Sequence, residues 1–347
     1  MQKLLDLIDK HRELIENAEN FLWANPETGY REWKSSSFLQ AEYEKLGYNL
    51  TLAGNIPGFY TEIDTGLPGP KILILSELDS LLCNDHPDAD PQTGAVHACG
   101  HSAQGAALLG LAAALKDEGT LDGLCGSVRL CVVPAEELIE VGYREELRKQ
   151  GIIKYYGGKV EFLYRGYFHG VDISYMIHTS SGKEHSFFLN KGNNGCVVKN
   201  IKYTGVAAHA GGSPHSGVNA LYAANIGMSA INALRETFRD EDHIRVHPII
   251  TAGGTAVNAI PSEVRIESYV RGGTTEAIEK INKKVNRALA AGAVSLGANV
   301  ELCDRPGYTP LNNDVNLNKL AEKAMKLVVP EDNVSMSDGW GTGCTDM

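Results

Sequence analysis

Three apolar stretches of strand length each end in side chains that bind metals or move protons, and no other feature constrains the chain as much. Lys71-Ile72-Leu73-Ile74-Leu75 runs into Glu77-Leu78-Asp79. Ser127 to Val133 runs into Pro134-Ala135-Glu136-Glu137, and Val171 to Ile177 runs into His178. Short apolar runs of this kind read as buried strands, the habit of parallel sheets. Between the first two lies Ser102 to Leu115, rich in Ala, Gly and Leu, which reads as a tightly packed helix opening just after His101. Strands alternating with helices, with chemistry at the strand C-termini, predict an α/β fold with a largely parallel sheet and a crevice site.

The residues at those ends form one candidate set. Cys99 and His101 lie in a glycine-containing loop that enters the helix, where a thiolate gains from the helix N-terminus and a metal would deprotonate it outright. His97 is near enough to be a rival ligand and is read as a loop residue supporting the site. A Glu pair is ordinarily solvated surface. Directly after a buried strand, one of Glu136 and Glu137 can bind a divalent ion while its neighbour acts as general base on water. His178 fits as the next ligand, and Asp79 as the carboxylate that holds a ligand His in one tautomer.

The middle of the chain changes rhythm. Cys196 to Tyr203 reads as a strand, Gly217 to Phe238 as a helix, Arg245 to Thr251 and Glu263 to Arg271 as strands. Thr274 to Ser295 reads as a second helix and Asn299 to Cys303 as a last strand. This β-α-β-β-α-β order is that of a ferredoxin-like module. It predicts a first domain over 1–192, an inserted module over 193–308, and a resumption of the first domain over 309–347, with a helix at 316–327. In the module, Ala208-His209-Ala210-Gly211-Gly212 sets a His in a small-residue loop, suited to steadying a developing oxyanion. Asn258 and Arg271 are candidates for binding a substrate carbonyl and carboxylate.

At His97-Ala98-Cys99-Gly100-His101 and Pro134-Ala135-Glu136-Glu137 the chain resembles the metal-dependent aminoacylase and carboxypeptidase family. The branch it is most similar to is that of hippurate, indole-acetyl-amino-acid and aminobenzoyl-glutamate hydrolases. Looser matches run over nearly the whole chain: Asn25-Pro26-Glu27, Glu77 to Leu81, Gly205 to Ala210, Asn258 to Pro261, and Arg271. The resemblance implies a zinc-exopeptidase-like catalytic domain with an inserted dimerisation or lid module. It implies two divalent ions, zinc or manganese, with Cys99 bridging both, His101 and His178 completing one site, and Glu137 on the other. Glu136 would be the general base. His209, reaching across a homodimer, would steady the tetrahedral intermediate. The implied reaction is hydrolysis of the amide bond in a small N-acyl amino acid or dipeptide-like substrate.

Relatives often follow the Cys-Gly-His motif with Asp and a further His, where this chain has Ser102 and Gln104, so no side-chain preference carries over. Cys344-Thr345-Asp346-Met347 resembles a segment that in the family precedes the last His ligand, and the expectation is therefore a fragment. The alternative expectation is an inactive homologue serving as a metal-binding or dimeric scaffold.

Composition narrows the partners. With 43 acidic and 32 basic residues the formal charge is −11, which disfavours nucleic acid or an anionic membrane as partner. Leu4, Leu5, Ile8, Leu14 and Ile15 recur near helical spacing among charges, so the N-terminus reads as a surface helix. Seven scattered cysteines without framework spacing point to a reducing cytoplasm.

Overall fold

The computed structural model describes residues 2–180 and 186–347. The chain divides into two compact units, Met1–Glu184 and His185–Met347. Among the described residues, no helix is long and apolar enough to cross a membrane.

The first unit opens with helices α1 (Gln2–Lys10), α2 (Arg12–Trp23) and α3 (Trp33–Lys45), then strands β1 (Thr51–Leu52), β2 (Phe59–Asp64) and β3 (Lys71–Glu77). A small antiparallel pair, β4 (Leu81–Leu82) and β5 (Ala95–Val96), leads into α4 (His101–Lys116). β6 (Ser127–Val133), α5 (Val141–Lys149), α6 (Gly158–Tyr164) and β7 (Ile173–Tyr175) complete it. The sheet order is β1-β2-β6-β3-β7. β3 lies between β6 and β7 and runs parallel to both, whereas β2 and β1 add antiparallel at the far edge. The fold is thus mixed α/β with a parallel heart, and the parallel strands send their C-terminal ends to one edge. Helix α4 is buried along most of its length. Its glycines admit α2: a Cβ at Gly105 or Gly110 would strike Leu22 or Ile15. Leu22, Leu39, Tyr43, Phe59, Leu109 and Leu130 form the heart of the resulting core.

The second unit contains β8 (Phe187–Leu189), β9 (Gly192–Thr204), α7 (Ala220–Leu234), β10 (Arg245–Val246), β11 (Ile249–Ala252) and β12 (Glu263–Gly272). It continues with α8 (Thr275–Leu296), β13 (Asn299–Pro306), β14 (Leu311–Asn312), α9 (Val315–Met325), β15 (Val334–Met336) and β16 (Trp340–Cys344). β13, β9 and β12 are neighbours in that order, β10 and β11 follow along the outer side of β12, and every one of these pairings is antiparallel. With α7 and α8 packed together over the sheet, this is the ferredoxin-like arrangement. The strand expected over Arg245 to Thr251 is broken into β10 and β11 around Pro248, which has no N–H to give the ladder. Residues 309–347, which the sequence pattern assigns to the first domain, fall in this unit: β14 and β16 pair with the start of β9, and β15 pairs with β8.

Candidate active site

The ends of β3, β6 and β7 and the start of α4 gather the site. β3 delivers Glu77 and, two residues on, Asp79; β6 delivers Glu136 and Glu137; the segment after β7 carries His178; Cys99 and His101 straddle the entry to α4. Candidate ligand atoms of Cys99, His101 and His178 lie within 4.8 Å of one another, and so do those of Glu77, His101 and Glu136. Cys99 Sγ is 3.3 Å from His178 Nε2, and the Glu137 carboxylate lies beside the Cys99 thiol. Cys99, His101, Glu136, Glu137 and His178 therefore converge. His101 belongs to both groups.

Asp79 organises this centre from beneath. Its carbonyl oxygen lies 2.7 Å from His101 Nδ1, and its carboxylate lies 3.2 Å from the same nitrogen. Its other carboxylate oxygen accepts the Glu137 backbone N–H at 2.7 Å. A proton held on Nδ1 leaves the Nε2 lone pair of His101 facing away from Asp79, the arrangement that prepares an imidazole for a metal.

The electrostatics follow from burial and pairing. Burial alone would lower the pKa of His101, yet Asp79, Cys99 and Glu77 hold it well above the ordinary imidazole value, so a metal ion at Nε2 would displace the ring's second proton. Burial opposes ionisation of Glu77 and Asp79, but Lys159 and His101 hold the first, and His101 and Arg144 the second, below their usual values. Burial and nearby Asp79 raise Glu137. The Cys99 thiol is pushed up to about 11, chiefly by burial, so the advantage expected from the helix N-terminus does not make it a thiolate by itself. A cation at the sulfur would. His97 is almost completely buried, is pushed down to about 4 by burial, and falls in neither ligand group.

The donors fit a divalent ion. His101 Nε2 and Glu77 Oε2 approach to 3.0 Å without hydrogen-bond geometry, and both are buried with no hydrogen-bond partner among the described residues. Asp79 Oδ1 is in the same position. Thiol, imidazole and carboxylate together are a donor set that zinc or a similar ion accepts.

The candidate residues of the second unit lie in two places. His209 is exposed, and its Nδ1 accepts the backbone N–H groups of Gly212 at 2.8 Å and Gly211 at 3.2 Å. The ring proton then sits on Nε2, which can donate outward. Asn258 is beside it, its carbonyl accepting Ala210 N at 2.9 Å. Arg271 pairs with Cys196 near one end of β12, whereas the loop carrying His209 leaves β9 beside Glu263 at the other. At about 3.4 Å per residue this separates Arg271 from His209 by more than 20 Å within one chain.

Several contributors escape the sequence. Glu77 is read there only as part of a strand end, although it shares a face with Asp79 two residues later, and that spacing is the signal. Lys159, from α6, ion-pairs with Glu77 while only 2% exposed. Gln104 Oε1 accepts the Glu77 N–H at 3.0 Å, and Ser102 Oγ donates to Glu19 at 3.0 Å. The two positions where the chain departs from its relatives' motif are thus absorbed into the support of α4 and β3. Glu32 and Arg144 grip the turn that carries the glutamates and have no local sequence signal.

The chain is similar in sequence and in fold to known proteins. Residues 190–296 match the peptidase dimerisation domain. The chain is 27% identical over 327 residues to the indole-3-acetyl-aspartic acid hydrolase of Enterobacter agglomerans, covering 80% of this chain and 70% of that protein. It is 28% identical over 308 residues to the Xaa-Arg dipeptidase of Mus musculus, covering 87% and 65%. Its fold matches a dinuclear metal-binding peptidase of the M20 family from Bacillus subtilis, with a TM-score of 0.65 and 21% identity over 96% of this chain and 83% of that one. The chain spans about two thirds of the length of these curated relatives.

Proposed function

We propose that the chain is an M20-type amidohydrolase that cleaves the amide bond of a small N-acyl amino acid or dipeptide-like substrate, a reading supported by the match to the peptidase dimerisation domain and by the curated relatives. The convergence of Cys99, His101, Glu136, Glu137 and His178 at the carboxyl edge of one sheet carries this reading. Cys99, His101, His178 and Glu137 would hold divalent metal, zinc or manganese, which when bound polarises the scissile carbonyl and acidifies water. Two ions per complete site fit the dinuclear character of the Bacillus subtilis structure.

Glu136 takes the proton of the attacking water and delivers it to the leaving amine, so that the C–N bond breaks as N–H forms. Asp79 keeps His101 in the tautomer that leaves Nε2 available. In a homodimer built through the second unit, His209 of one protomer would donate its Nε2–H to the tetrahedral oxyanion in the other. Asn258 and Arg271 would hold the substrate carbonyl and carboxylate. The amino-acid conjugate and the dipeptide in the names of the two relatives favour this substrate class.

The test is release of free amino acid from a panel of N-acyl amino acids and dipeptides with added zinc or manganese. Glu136→Gln is expected to retain metal and lose turnover by roughly 10²–10⁴-fold, the scale of a general base. Glu137→Ala is expected to lose metal instead. No turnover by the metal-loaded chain, or a fully active Glu136→Gln, would sink the reading.

A further inference from the structure

Glu136 and Glu137 are consecutive, and in an extended strand consecutive side chains face opposite sides. Here Glu136 joins Glu77 and His101 in the buried group, and Glu137 lies beside the Cys99 thiol. The residue before them sets the direction in which the pair leaves β6. Ala135 has φ 58°, a left-handed conformation that a residue with a Cβ enters only at a cost of about 1–2 kcal/mol. Such strain persists where the surroundings over-determine it.

The surroundings of Ala135 do so. Its N–H donates to Glu32 Oε1 at 2.8 Å. Its carbonyl accepts Arg144 NH1 at 3.2 Å and Gly158 N at 3.1 Å. The other arm of the same guanidinium donates to the Glu137 carbonyl, and Asp79 takes the Glu137 N–H at 2.7 Å. Arg144 and Glu32 are both fully buried. Gly29 leaves the space for the guanidinium, since a Cβ there would strike Arg144 NH2. One planar fork spans the carbonyls on either side of Glu136, a grip that a lysine ammonium cannot reproduce.

We propose that Arg144 and Glu32 are positioning residues that hold Ala135 left-handed and grip the turn from Ala135 to Glu137, and so aim its carboxylates at one metal centre. The inference rests on the reading of Glu136 and Glu137 above. The measurement is zinc affinity of the full chain by competition with a chromogenic chelator, beside its thermal midpoint. Arg144→Met is expected to weaken zinc binding about 10–100-fold, the range seen when a supporting partner of a metal ligand is removed. Glu32→Gln keeps the acceptor for Ala135 N and is expected to bind zinc within about threefold of the unaltered chain, whereas Glu32→Leu falls with Arg144→Met.

The decisive variant is Ala135→Gly combined with Arg144→Met. Glycine takes positive φ without steric penalty, so the double variant is expected to recover at least about tenfold of the lost affinity even where its melting point stays low. Undiminished zinc affinity in a folded Arg144→Met overturns the proposal, and so does a loss that Ala135→Gly fails to restore. If Arg144→Met does not fold, Arg144→Lys, which keeps the buried charge and loses the fork, is measured with the same pair of outcomes. A chain that binds zinc in this Arg144-dependent way and cleaves no amide sinks the hydrolase reading and keeps the clamp. Amide cleavage with zinc affinity insensitive to Arg144 sinks the clamp alone.

Discussion

The sulfur of Cys99 lies 3.3 Å from Nε2 of His178, although 79 residues separate the two in sequence. The contact joins the entry of α4 to the segment after β7, and Thr179 Oγ1 reinforces it by donating to the Cys99 carbonyl at 2.7 Å. His178 is exposed and contributes little packing, so His178→Ala should change stability by no more than about 0.5 kcal/mol. Its zinc affinity should fall by more than the roughly 10–100-fold that follows loss of a supporting partner. Chelator competition beside a thermal melt separates the two effects, and unchanged affinity would remove His178 from the ligand set.

Gly100 stands between Cys99 and His101 with φ 89°, and a Cβ there would collide with the Thr179 side chain. Gly100→Ala is expected to cost about 1–2 kcal/mol for the left-handed backbone alone. Moving Thr179 would also displace His178. The variant should therefore lose thermal stability and zinc affinity together, in contrast to His178→Ala. Affinity equal to that of the unaltered chain would show that the Cys99 loop tolerates the shift.

In the second unit, Lys199 is fully buried, donates to Asn282 at 2.9 Å and Asn286 at 2.5 Å, and ion-pairs with the partly exposed Asp304. The two partners shift in senses that tell them apart. Burial lowers Lys199, disfavouring its cation, whereas Asp304, which keeps some water, is lowered by Lys199 and the two asparagine amides, favouring its anion. Asp304→Ala strands a buried ammonium and should destabilise the unit by about 3 kcal/mol. Lys199→Met should be close to neutral. Because the folded pKa of Asp304 lies below 3.8, its contribution is present above that value and lost as pH falls through the folded one. Urea midpoints measured downward from about pH 5 should show this acid loss in the unaltered chain and less of it in Asp304→Asn. A larger penalty for Lys199→Met than for Asp304→Ala would reverse the account.

The homodimer proposed through the second unit has a candidate surface. Ile249 and Ile250 are exposed on β11, which lies outside β12, and Tyr222 and Ile226 are exposed on α7. An open strand edge with apolar residues is suited to pairing across a two-fold axis. Ile250→Lys with Tyr222→Lys should turn a sedimenting dimer into a monomer and leave zinc binding by the first unit intact. Sedimentation unchanged by both charges would place the interface elsewhere.

Sequence alone determined most of the scaffold, because its evidence is local. The apolar run of β6 and the small-residue helix α4 declare themselves within a dozen residues, and the β-α-β-β-α-β order of the module follows from such runs taken in turn. The chemical identity of Cys99, His101, Glu136, Glu137 and His178 was legible for the same reason: each follows a strand or opens a helix. What only the tertiary structure decided is how those side chains are held. Lys159 meets Glu77 across 82 residues and Glu32 meets Ala135 across 103, and no periodicity records a contact at such separation. The left-handed Ala135 is equally silent, since alanine favours helix by propensity and takes this conformation only because Glu32, Arg144 and Gly158 hold it from outside the strand. Local pattern places a residue on an element; burial and long-range pairing decide its charge, its partner and its aim.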